Sequence, residues 1–208
     1  MSTKGPRFER EMAGALSRWW TAGERDDLAW RTAGSGARAT TRAKKGKTTA
    51  NAAGDVAATD AAIQPLFDVF AFEMKRGLNA VSPFDLLFRP RRKWVVKRSI
   101  DAWVGQASRA AAVAGARTWA IVHRPDRQEA MVYADSAVLQ TLFPYLLFRT
   151  AGGRVAAVTG RLVGPDGTRE LQELLVIPFA DLFPPSPVET PLITVEEVKL
   201  AAIWKEKK

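Results

Sequence analysis

Residues 66–75 read LFDVFAFEMK. The run is apolar until its end, where Glu73 and Lys75 stand two positions apart. Successive side chains of a strand point to opposite faces. Phe70, Phe72 and Met74 then share one face, and Ala71, Glu73 and Lys75 the other. A carboxylate and an ammonium therefore meet at the tip of a strongly apolar strand. Residues 54–60, GDVAATD, read as the strand before it, and a turn near Ala61–Pro65 makes a hairpin of the two. Asp55 supplies a second carboxylate. Two carboxylates on adjacent strands form a hard-oxygen site suited to Mg²⁺ or Mn²⁺. A lysine beside them can hold a water or support charge on a phosphate in reaction.

Rivals to these residues read less well. Asp60 lies near the turn, and Asp68 falls on the Phe70/Phe72 face. The tripeptide Glu-x-Lys also occurs as Glu197-Val198-Lys199 and Glu206-Lys207-Lys208. Both lie in a charged helix candidate at residues 195–208, with no acid-bearing strand before them, and read as solvated helix surface.

Outward from this centre, the pattern alternates between helices and strands. Phe8, Met12, Ala15, Leu16 and Trp19 form one stripe of a helix over 6–21, opened by Pro6 and closed by Gly23. Glu9 and Glu11 flank that stripe on opposite sides at similar angles, so periodicity does not choose between them. Trp20, off the stripe, and Trp30 are candidates for stacking on bases. A short strand follows at Leu28–Ala33. A second helix over 98–115 presents Ile100, Trp103, Val104, Ala107, Ala111 and Ala114 on one face, with Gln106 at its edge. TWAIVH (118–123) and EAMVY (129–133) read as a strand pair, and 135–148 as a helix. His123, before Arg124-Pro125, reads as structural or as a minor phosphate contact. The strands 154–163 and 169–177 flank a Gly164-Pro165-Asp166-Gly167 turn. FPPSPVETP then interrupts regular structure. Residues 1–148 form a core and 149–208 a hairpin-and-helix extension packed on it. The class is α/β on a mixed central sheet.

Charge points to the partner. The 208 residues hold 31 Lys and Arg against 22 Asp and Glu, a net charge of +9 and a pI near 10.2. Such an excess favours a polyanion. Its densest blocks are GARATTRAKKGKTTANAA (36–53), with Arg38, Arg42, Lys44, Lys45 and Lys47, and RPRRKWVVKR (89–98), with Arg91, Arg92 and Lys93. Neither contains an acid. The first also lacks large apolar side chains and reads as a mobile cationic loop. Both are expected to grip a phosphate backbone. The chain has no cysteine and one histidine, which excludes thiol nucleophiles, disulfide scaffolds and multi-histidine metal sites. No apolar run suits a membrane span or a signal peptide, so no membrane partner is expected and the location reads as cytoplasm or a host-cell interior.

An acid on the first helix, Asp on a strand, then Glu-x-Lys on the next strand together resemble the PD-(D/E)xK nuclease superfamily. Gly5-x-x-x-Glu9-Arg10-Glu11, Arg31-Thr32-Ala33-Gly34-Ser35, Gly54-Asp55-Val56 and Glu73-Met74-Lys75 are similar, in that order, to segments of archaeal-type Holliday junction resolvases. The resemblance covers roughly 5–35 and 54–77, and more weakly 98–133. It implies a restriction-endonuclease-like αβββαβ core. It implies that Asp55, Glu73, the Met74 carbonyl and Glu9 hold Mg²⁺ or Mn²⁺, that Lys75 orients the attacking water, and that Arg10, Arg31 and Ser35 meet DNA. Gln106 resembles a helix glutamine that supports such sites. The implied activity is metal-dependent hydrolysis of phosphodiester bonds in branched DNA, in a recombination setting, by a homodimer. The long basic insert at 36–53 and the chain beyond 148 depart from the compact archaeal pattern. The alternatives are another nuclease of the superfamily (a nickase, a restriction-type or a phage DNA-processing enzyme) and a nucleic-acid-binding protein without catalysis.

Overall fold

A computed structural model describes residues 4–32, 54–77, 100–149, 154–163, 169–184 and 191–204. Ser35, the two basic blocks at 36–53 and 89–98, and the Gly164–Gly167 turn lie outside the described residues.

The first helix, α1, spans Lys4–Trp20 and buries the whole Phe8–Met12–Ala15–Leu16–Trp19 stripe. Ala22 and Gly23 turn left-handed beyond it, and the Gly23 amide donates to the Arg18 carbonyl at 2.7 Å. Strands β1 (Ala29–Arg31) and β2 (Val56–Ala58) pair antiparallel, with Arg31 opposite Val56. Residues 66–69, expected as strand, are helical instead. A 3-10 turn at Ala61–Ile63 leads into helix α2 (Gln64–Val69), and β3 starts only at Phe70 and runs to Arg76. The expected hairpin does not form: β2 pairs with β1 in a separate two-stranded sheet, and β3 belongs to the five-stranded sheet beyond the intervening helix. Asp60 caps the turn by accepting from the Ala62 amide at 2.9 Å, Pro65 occupies the first helical turn, and Gln64 donates to Asp68 at 2.8 Å. An apolar run such as LFDVFAF has no period of its own, so these start signals decide the matter.

Helix α3 (Ile100–Ala114) crosses over to β4 (Thr118–Arg124), which pairs parallel with β3; Phe72 lies opposite Ala120 and Lys75 opposite His123. β5 (Met131–Asp135) is antiparallel to β4. The expected helix over 135–148 divides into α4 (Ser136–Leu142) and α5 (Leu146–Arg149), because Pro144 has no amide with which to continue the helix. β6 (Ala156–Val163) and β7 (Arg169–Pro178) follow, then the single turn α6 (Phe179–Leu182) and helix α7 (Val195–Ile203). The five-stranded sheet has the order β3-β4-β5-β7-β6. The C-terminal hairpin therefore continues the central sheet, with β7 between β5 and β6, and α7 packs on α2.

The architecture is mixed α/β around a mixed five-stranded sheet, consistent with a restriction-endonuclease-like fold. Two apolar clusters cover the sheet. Phe70, Phe72 and Met74 join α1 and the C-terminal helices on one side; Ala71 joins Ile100, Trp103 and Val104 of α3 on the other. No helix among the described residues is long and apolar enough to cross a membrane.

Candidate active site

The alternation on β3 directs Glu73 and Lys75 toward α3. Glu73 is buried, and its Oε1 accepts from Lys75 Nζ at 2.5 Å and from Gln106 Nε2 at 2.5 Å. Lys75 Nζ also donates to Gln106 Oε1 at 3.2 Å. Gln106, placed by the helical turn after Trp103, thus holds both ends of the Glu-x-Lys pair. It uses its amide as donor to one and acceptor to the other.

Asp55 reaches the same place from the start of β2. Its amide donates to the Phe72 carbonyl at 2.8 Å, and its Oδ2 accepts from the Met74 amide at 2.8 Å. On the other side, the Thr32 amide donates to the Asp55 carbonyl at 2.9 Å and the Thr32 hydroxyl to the Gly54 carbonyl at 2.9 Å. The close approach depends on Gly54. Its φ is +86°, and a Cβ there would lie 2.6 Å from the Phe72 oxygen. Only glycine lets the backbone come so near.

Burial and the neighbouring Glu73 charge push the Asp55 carboxyl up to about 7, against the opposing pull of the Met74 amide and of Lys75. Two carboxylates share a buried pocket with one ammonium. The pocket is short of positive charge, and its donors are oxygens, the set that suits a hard divalent cation.

The rival acids go elsewhere. Asp60 caps the turn before α2 and pairs with Arg25 at 3.2 Å, while Asp68 faces Gln64 rather than the Phe70 face. Glu11 forms a bidentate pair with Arg124, at 2.5 and 2.7 Å. Glu9 is buried and accepts from Arg31 Nε at 2.9 Å. That bond occupies Arg31, the expected DNA contact, and links α1 to β1 one residue from Thr32. Among the described residues no three histidine or carboxylate side chains converge on one point, so the structure brings Asp55 and Glu73 together and leaves Glu9 with Arg31. Arg10 is exposed on α1.

His123 is structural. It is fully buried, with Nε2 2.8 Å from the Gly77 carbonyl and its ring against Trp103, and burial holds its pKa below the ordinary value. Trp19 packs edge-on against Phe183, Trp20 lies under Lys199, and Trp30 is half exposed. Sequence reasoning missed Thr32 as a clamp on Asp55. The cue was its place in the strand opposite the Gly54-Asp55 step.

Comparison with curated proteins and with solved structures finds no match. Residues 1–151 match the model of one protein family, a stretch that holds α1, both acid-bearing strands and α3. Since that match spans well over half of its length, the chain belongs to the PD-(D/E)xK nuclease family described as "Phage putative PDDEXK endonuclease".

Proposed function

We propose that the protein is a metal-dependent DNA endonuclease whose centre is Asp55, Glu73, Lys75 and Gln106. The observation that carries this reading is the buried carboxylate pair with too little positive charge around it, facing one lysine. Asp55 and Glu73 would hold Mg²⁺ or Mn²⁺, with the Met74 carbonyl as a further donor; the superfamily resemblance adds Glu9, which here is paired with Arg31 and would have to leave it to reach the ion. The cation would acidify a water and offset charge on the phosphate. Lys75 orients the water and supports the negative charge that builds on the phosphate oxygens. Gln106 keeps Lys75 and Glu73 in register with each other. Residues 1–148 would be the catalytic unit, and 149–208 its extension. Arg10 on α1 and the two basic blocks supply backbone contacts.

Within this class, branched DNA is the favoured substrate, cut at paired positions by a homodimer. The similarity of the four short motifs to archaeal-type Holliday junction resolvases supports it. The family to which the chain belongs favours a second reading, a phage DNA-processing nuclease without junction preference. The test is cleavage of a labelled four-way junction beside linear duplex of the same arms, with Mg²⁺ or EDTA, for wild type and Glu73→Ala. Paired cuts confined to the junction, abolished by EDTA and by the substitution, are expected. Equal cutting of linear DNA would leave the nuclease and remove the junction preference. Tight binding with no cutting of either would replace both with a non-catalytic binding protein.

A further inference from the structure

One position beyond Lys75, the end of β3 meets the start of α1 and the turn between β4 and β5. A cleft of about 470 Å³ lies there, lined by Lys4, Arg76, Asp126 and Arg127. Three of the four side chains are cationic. Arg76 is the residue after Lys75, and alternation turns it to the other face of the strand. Its guanidinium is held by the Arg124 carbonyl at 3.0 Å and by Asp126 at 2.6 Å. Lys4 reaches Asp126 at 3.7 Å and is two-thirds exposed. Arg127 is exposed on the rim, in a turn that holds it at φ 63°, a conformation that non-glycine residues rarely adopt.

The cationic surface extends along α1. Glu11 is held below the ordinary carboxylate range by its hydrogen bonds to Arg124, and the charges of Arg124, Arg7 and Arg76 add to this against the effect of partial burial. Arg7, four residues before Glu11, lies on the same side of α1. Arg7 and Arg10, three residues apart, are neighbours on the helix surface and both exposed. Lys4, Arg7, Arg10, Arg76, Arg124 and Arg127 here outnumber the carboxylates of Glu11 and Asp126. The excess begins one strand position after Lys75, on the opposite face of β3 from Glu73 and Lys75. Its residues are separate in sequence from the basic blocks at 36–53 and 89–98.

We propose that the cleft between the α1 start and the β4–β5 turn, formed by Lys4, Arg76 and Arg127, is a phosphate-binding site that docks the DNA backbone outside the scissile position. Arg76 follows Glu73 by three strand positions, roughly 10 Å at about 3.3 Å per residue. The site would fix which phosphate enters the centre, as contacts to the backbone set register rather than sequence. In that use it rests on the nuclease reading above. The binding itself does not.

The experiment measures binding of fluorescein-labelled four-way junction and linear duplex by anisotropy in EDTA, from about 0.05 to 0.2 M KCl. It compares wild type, Lys4→Ala/Arg127→Ala, and the control Arg18→Ala/Lys199→Ala. The control removes the same charge about 21 Å away, at the far end of α1. All four side chains reach solvent, and circular dichroism checks the folding of both variants. The expected result is a salt slope shallower by about 2 for the first pair, at ~0.9 for each phosphate no longer neutralised, and an unchanged slope for the control. Equal change in both pairs, no change in either, or no binding of either DNA by the wild type would overturn the proposal. Cleavage in Mg²⁺ is measured separately. A wild type that cuts with an unmoved slope keeps the nuclease and removes this site. A wild type that does not cut, with the selective change of slope, keeps this site and removes the nuclease.

Discussion

Two described segments of this protein carry the same tripeptide pattern, Glu-x-Lys, and do opposite things with it. On β3, positions two apart share a face, and Lys75 meets Glu73 at 2.5 Å in a buried pocket with Asp55 alongside. On α7, positions two apart lie about 200° apart around the axis. Glu197 there turns back to its capping box with Thr194 and to Arg149 at 2.7 Å, and Lys199 turns to Glu196 at 2.7 Å. Glu197 is thereby held below the ordinary carboxylate range: the pull of Arg149 and Thr194 outweighs the opposing cost of partial burial. Asp55, which lies against the other segment, is pushed up instead. The difference is between an acid given more donors than it needs and a pair of acids given too few. The first is a structural cap, and the second is the pair that the proposed function would fill with a cation.

The sharpest way to break this contrast is a pair of alanines. Glu73→Ala is expected to reduce DNA cleavage about 10³-fold, while Glu197→Ala leaves the turnover rate unchanged. Single-turnover rates at saturating enzyme measure both, and comparable losses would dissolve the distinction. Lys75→Ala is expected to cost about 10²-fold and Lys199→Ala nothing, by the same assay. Gly54→Ala tests the backbone approach that brings Asp55 to β3. A Cβ 2.6 Å from the Phe72 oxygen and a left-handed φ should destabilise the fold by about 2–3 kcal/mol, read as a lower urea midpoint. If the midpoint held, the approach would not depend on glycine.

Asp55 gives a prediction in pH. Its carboxyl holds a proton more tightly in the folded chain, near 7, than in the unfolded chain, near 3.8. The native state is therefore most favoured, with respect to this group, below the unfolded value, and loses stability as pH rises toward about 7. Asp55→Asn should remove most of that loss, raising stability at pH 8 by about 3–4 kcal/mol and flattening the dependence between about pH 4 and pH 7. Mg²⁺ or Mn²⁺ should stabilise wild type more at pH 8 than at pH 6, where the proton competes, and should not stabilise Asp55→Asn. Thermal melts across pH, with and without the metal, would expose an Asp55 that titrates normally. The smallest effect is on the cap: Glu197→Ala should cost about 1 kcal/mol of stability, by loss of its bonds to Thr194.

Much of the site could be read before the fold was known. Strand alternation alone put Glu73 and Lys75 together and separated them from Phe72 and Met74, because a period of two needs no tertiary information. The stripe on α1 and, apart from Ala114, which is exposed, the stripe on α3 were legible from local period in the same way. LFDVFAF was not: a continuous apolar run suits a buried strand and a buried helix turn equally, and Asp60 and Pro65 carried the deciding signal. Glu9 and Glu11 were also equivalent in sequence, being mirror positions about one stripe. Packing separates them, since one side of α1 meets Arg31 of β1 and the other meets Arg124 of β4.

The one-dimensional pattern thus carried the local order of elements, the acid-lysine face of β3 and the cationic excess, since each depends on neighbours within a few residues. The meeting of Asp55 with Glu73 across Gly54, the clamp of Gln106 from α3 and the joining of β7 to the central sheet depend on contacts between residues far apart in the chain. Such contacts form where shape, burial and hydrogen bonding are satisfied together, and no local period encodes them.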